Sequence, residues 1–246
     1  MNISGSGRIA AGEYNEKISV SGSGRLDGNI RCIALSCSGS VKGAGSVECA
    51  EDVKVSGSCH IEQCLVAKNL SASGSLKVGG DINADGEIKA SGSIKVGGSI
   101  KCTTLNCSGG IDAGKEIEAE EIRISGGVQC AGLMNAEKID IAFGGFGSSS
   151  RIGSIGGSEI KIHNEQKGGT KLARMPLLSK LVGAGSGVLT VEELIEGDVV
   201  AVEYVKTPKV VGRVVAVGAG CDIDLVQYSE EIEVHPDAKV KTCEKI

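Results

Sequence analysis

Gly109-Gly110-Ile111-Asp112-Ala113-Gly114-Lys115 has the spacing of a phosphate-binding loop, in which backbone N–H groups and a lysine cradle phosphates. The motif fails at its last place. Glu116 stands where Ser or Thr should hold magnesium, and the stretch lies between two strand patterns instead of opening a helix. It reads as a corner of a repeat. Cysteines fall five apart at Cys32/Cys37, Cys59/Cys64 and Cys102/Cys107. Structural zinc uses closer pairs completed by a second pair or by His. Cys32, Cys37, Cys102 and Cys107 occupy slots that other repeats fill with Ala, Val or Ile, so they are expected as buried thiols behaving as small hydrophobes. Cys64 lies outside that register and is the thiol expected to react. His60 takes an outward slot, His163 ends a strand and His235 precedes Pro236. No serine sits in the glycine context of a nucleophile elbow, so a Ser-His-Asp relay is not expected. Glu116, Glu118, Glu120 and Glu121 alternate outward as a solvated face, with a filament or partner contact as the alternative. No catalytic residue, cofactor or metal site is expected.

One segment has a sharper reading. From Gln166 to Val182 there is no acid, and Lys171, Arg174 and Lys180 are interleaved with Leu172, Met175, Leu177, Leu178, Leu181 and Val182. Basic and apolar side chains together suit an anionic membrane surface or a partner. Pro176 breaks a continuous helix but can open one. The alternatives are a segment that folds back over its own domain, or a plain linker. Gly183 to Gly187 reads as flexible linker.

These residues are positioned by a repeat. Ser-Gly-Ser occurs at Ser4, Ser21, Ser38, Ser56, Ser73 and Ser91, and Ser-Gly-Gly follows at Ser108 and Ser125. The steps between them hold to a period of about 17 residues, and a fixed period of this size marks a solenoid. Each repeat holds three apolar pairs spaced by two, as in Leu76 with Val78, Ile82 with Ala84, and Leu70 with Ala72. The residue between is mostly polar, such as Lys77, Lys95, Arg31, Lys54 and Arg123. Spacing by two is strand periodicity with both side chains on one face. Each coil therefore carries three short strands and closes as a triangle, with Gly and Ser at the corners. The fold class expected is all-β, a parallel β-helix with inward rows stacked as ladders about 4.8 Å apart.

Composition agrees. Of 246 residues 41% are hydrophobic but only 2% aromatic, with no Trp, which suits a narrow core of Ile, Val, Leu, Ala and Cys. The net charge of −5 argues against nucleic acid as a partner. Met1-Asn2-Ile3-Ser4 enters the repeat directly, with no signal-peptide pattern, and no apolar run is long enough to span a bilayer as a helix. Ten cysteines without a secretion signal read as reduced thiols, so a cytoplasmic protein is expected, with peripheral contact at the inner face of the membrane.

Three regions result. Residues 1–162 are a β-helix of about nine coils, roughly 43 Å long at the strand spacing. Its last, looser coil uses Phe146, Ile152, Ile160 and Ile162, with Phe143-Gly144-Gly145 at a corner. Residues 163–187 are the basic, apolar insert and linker. Residues 188–246 return to strand patterns at Val200/Val202, Val215/Val217, Val226/Tyr228 and Ile232/Val234. They form two to three further coils, either continuing the rod or docking on it.

The alternation at Gly28-Asn29-Ile30-Arg31-Cys32, Gly80-Asp81-Ile82-Asn83-Ala84 and Gly98-Ser99-Ile100-Lys101-Cys102, within three-strand coils of this period, resembles the bactofilins, bacterial polymer-forming cytoskeletal proteins. The resemblance covers residues 1–162. Ile195-Glu196-Gly197-Asp198, Val210-Val211-Gly212 and Gly218-Ala219-Gly220-Cys221-Asp222-Ile223 look like the second block of longer members from Gram-positive bacteria. The resemblance implies a right-handed β-helix that stacks end to end into nonpolar filaments without nucleotide. The chain departs from the family pattern in its basic insert and in lacking an N-terminal membrane-targeting tail.

The physical case for assembly lies at the ends, where a coil exposes unpaired N–H and C=O groups above an apolar core. The expected self-assembly residues are Ile3, Ile9 and Tyr14 at the N-terminal end and Ile232, Val234 and Val240 at the C-terminal end. The partners expected are the chain itself, a paralogue and an anionic membrane surface, with no nucleic acid and no small-molecule substrate. The other classes weighed are an acyltransferase with hexapeptide repeats, which would keep a strict coil of three hexapeptides and need a cleft His, and a non-polymerising adaptor.

Overall fold

The computed structural model describes residues 1–143, 150–164 and 187–246. Within them all regular structure is strand, every ladder is parallel, and the chain winds as a β-helix of about 13 turns. The parallel β-helix expected from the repeat is the fold. Phe146, the corner Gly144-Gly145 and the whole basic segment Lys171–Val182 lie outside the described residues.

The inward pairs become continuous ladders. On the third face Ile18, Leu35, Val53 and Leu70 are followed in register by Ile88, Leu105, Ile122, Ile139 and Ile160, all buried. Each has an apolar neighbour above and below, so ladder and core are one object. The second face pairs a large residue with a small one. Ile30, Val47, Leu65 and Ile82 run beside Cys32, Cys49, Ala67 and Ala84. The small column continues as Ala136, Gly157, Gly197 and Gly212. It must be small because the third face reaches across to it: a Cβ on Gly197 would lie 2.9 Å from Ile160 Cδ1. The crowding is local to this column, where the second face has room only for a small side chain.

Leu76 is fully enclosed, stacked between Cys59 and Ile94. Leu76→Ala is expected to lower unfolding free energy by about 3 kcal/mol, since rigid walls cannot collapse on the cavity. Urea denaturation at unchanged slope checks this.

The C-terminal strands stack directly on the earlier coils. Ile160 pairs in register with Val200 and Ile162 with Val202, although the whole basic insert and its linker intervene in the chain. From there Val202, Val217 and Val234 succeed one another. The rod continues across the insert. The first coil after the join is shorter than those of the N-terminal repeat, with Val217 already back in register on Val202, and it turns through Tyr204 in the left-handed region at φ 53°.

Candidate functional site at the ends of the rod

Each end of the stack presents strands paired on one side only. At the N-terminal end Asn2–Ile3 pairs with Ser19–Val20, and Ser6–Ile9 with Ser23–Leu26, leaving the outer edges of both without a ladder. Ile3 is half-buried and folds over Gly7, which stands where inner coils carry Val41 or Leu76. Ile9 is enclosed at 2% exposure and so packs inside its own coil. Tyr14 is half-buried, and its hydroxyl donates to Ala10 O at 2.8 Å. The Met1 amine lies against the Glu16 carboxylate and donates to Lys17 O at 2.7 Å. This latch, invisible to periodicity, fixes the first strand over the end.

The C-terminal end is more open. Val234 is 40% exposed, whereas its ladder predecessors Val217 and Val202 are 2% and 1% exposed. Ile232 and Val240 are half-buried against the last coil, and Lys239–Lys245 pairs only with Asp222–Tyr228. Ile246 is the most exposed large apolar residue described. Sequence reasoning passed over it because it belongs to no complete coil. Among the described coils the inward column is therefore cut across at Val234.

The residues weighed for chemistry occupy other places. Gly110–Ala113 is a strand between corners, so the phosphate-loop spacing has no helix to open. Glu118 pairs with Lys101 and Glu121 with Arg123 on the outer surface. His60 stands outward, and His235 Nδ1 lies 3.8 Å from Asp237. His163 Nδ1 comes within 3.4 Å of Asp140 Oδ1, in a groove of about 600 Å³ that Ser108 and Ser125 also line. Nothing in the periodicity signals that meeting. Both of these atoms, Asp140 Oδ1 and His163 Nδ1, are buried without a hydrogen-bond partner, so the two side chains face each other with no hydrogen bond formed between them. Among the described residues no three His, Cys, Asp or Glu side chains gather as a metal site, and no helix is long and apolar enough to cross a membrane.

Cys32, Cys37, Cys102 and Cys107 are buried as the register requires. Cys32 and Cys49 stack with their sulfurs 3.4 Å apart; that hydrogen bond and burial push the Cys49 thiol up. Burial pushes Cys102 up to about 12 and Cys130 up to about 11. Both groups favour the fold fully below the ordinary thiol value of 9.0, and lose that contribution as pH rises through their folded values. Stability is expected to fall as pH climbs from 9.0 towards about 11. Thermal melts of the Cys102→Ala, Cys130→Ala double variant should show a flatter decline. Cys64 is half-buried and Cys243 exposed, so a thiol reagent at neutral pH should modify Cys243 first, a site outside the coil register that pointed to Cys64.

Scans against family models, curated proteins and solved structures return no match.

Proposed function

We propose that this chain is a structural protein that assembles end to end into nonpolar filaments without nucleotide, a scaffold of the kind its resemblance to the bactofilins implies. The observation that supports this reading is the cut core at the C-terminal end, where Val234 is 40% exposed below fully enclosed ladder partners. Here the last inward residues are valine and isoleucine, and the free strand edges offer hydrogen bonds to a second copy. Like ends meet: two N-terminal coils, or two C-terminal coils, related by a two-fold axis can pair their outer strands antiparallel. Residues 171–182 remain the membrane or partner contact of this proposal, on their sequence pattern alone.

Negative-stain electron microscopy of the purified chain, with and without anionic liposomes, tests it. Narrow filaments in nucleotide-free buffer are expected. Single rods at every concentration would refute self-assembly, and a compact trimer would favour the acyltransferase class.

A further inference from the structure

The three outer faces of the rod treat charge differently. On the third face acid and base alternate within a coil, as in Asp52–Lys54, Glu87–Lys89 and Glu121–Arg123. On the second face they alternate between coils, as in Arg31–Glu48 and Lys101–Glu118. The first face instead stacks base on base over most of its length. Arg8, Arg25, Lys42, His60, Lys77 and Lys95 stand in direct register, one above another, through six successive coils. At strand spacing that is a straight row about 24 Å long. Arg25 and Lys95 reach Asp27 and Asp112, but Arg8, Lys42 and Lys77 have no ion-pair partner among the described residues. Like charges directly opposite one another on adjacent strands are destabilising. The chain carries this row although its net charge is −5.

A second row runs beside the first. Ser6, Ser23, Ser40, Ser58, Ser75 and Ser93 stack in the same register, two residues before each basic group and on the same face. Between the rows lies a trough of about 530 Å³, floored by Gly7 and Gly24, with Ser6, Ser23 and Ser40 on one side and Arg8, Arg25 and Lys42 on the other.

We propose that this trough binds a linear phosphate polymer lying parallel to the rod axis. Phosphate oxygens accept several charge-assisted hydrogen bonds at once, from an arginine fork on one side and hydroxyls on the other. A linear polyanion gains further by releasing condensed counterions along a straight row of cations. The trough is an open groove that crosses three successive coils, so it runs along the axis as an extended chain would. Among the described residues no large apolar side chain on this face is exposed for insertion into lipid, and no aromatic ring lines the trough for base stacking. The proposal goes beyond filament formation and holds for a single rod.

The experiment titrates the intact chain with long-chain inorganic polyphosphate across a salt series, beside the variant Arg8→Ser, Lys42→Ser, Lys77→Ser. The variant is expected to bind at least tenfold more weakly, and its log–log salt slope should shrink by about two, the value for three lost phosphate contacts on a single strand. Lys54→Ser with Lys89→Ser, on the self-neutralised third face, should leave binding unchanged. The triple variant should melt at or above the parent temperature, because repulsion has been removed. Four results would overturn the proposal: undiminished binding by the triple variant, a lower melting temperature for it, capture of anionic vesicles but not polyphosphate through these residues, or tighter binding of a single-stranded oligonucleotide than of polyphosphate.

Discussion

Ile3→Asp is expected to convert filaments into pairs of rods joined at their C-terminal ends, and Val234→Asp into pairs joined at their N-terminal ends. The double variant should remain single. Each substitution places a carboxylate where a facing copy would bury it without a partner, which costs several kcal/mol. Even about 3 kcal/mol weakens association more than 100-fold. The single rod should tolerate both changes, since Ile3 is only half-buried and Val234 is 40% exposed. Mass photometry distinguishes the cases. It also separates like-end contacts from head-to-tail stacking, in which either single variant alone would give single rods and a mixture of the two would give pairs. Ile9, enclosed at 2%, is the wrong site for this test, because a charge there would unfold the first coil.

Gly92→Ala is expected to destabilise the rod by about 3 kcal/mol or more, whereas Gly110→Ala should change stability by less than about 0.5 kcal/mol. The glycines of the Ser-Gly corners stack so tightly that a Cβ on Gly92 would sit 2.0 Å from the carbonyl oxygen of Gly74 in the coil before. That oxygen belongs to the stacked backbone, so the collision cannot be relieved by turning a side chain. The same contact recurs at Gly39, Gly57, Gly74 and Gly109. Gly110 is adjacent in sequence to one of these, yet a Cβ there meets nothing within 4 Å. Its ladder partner in the preceding coil is Ser93, which already carries a side chain at that place. Parallel urea titrations of the two variants test whether close backbone approach, and not glycine content as such, sets the corner.

The repeat, the inward pairs and the buried cysteine register were legible in the amino-acid sequence because a solenoid makes its contacts between nearest neighbours at a constant offset. Leu70 meets Val53 and Ile88 for the same reason that it occupies the same slot as they do. A one-dimensional pattern then contains the fold. What it does not contain is anything that breaks the offset. Val200 stacks on Ile160 across the whole insert, and no period predicts that separation, so only the structure shows that the rod continues. Asp140 and His163 are diagonal neighbours, since Lys161 stacks on Asp140 and His163 on Ala142, but the coil between them is longer than the repeat, so counting at the usual period does not align them. End effects lie outside the pattern too: Ile9 and Val234 both hold inward slots on strands with one free edge, yet Ile9 is sealed within its own coil and Val234 is open. The basic row on the first face lies between these limits. Its residues recur at the period of the coil and could be aligned by counting, but whether stacked charges find acids or stand unpaired is fixed by the directions of side chains in three dimensions.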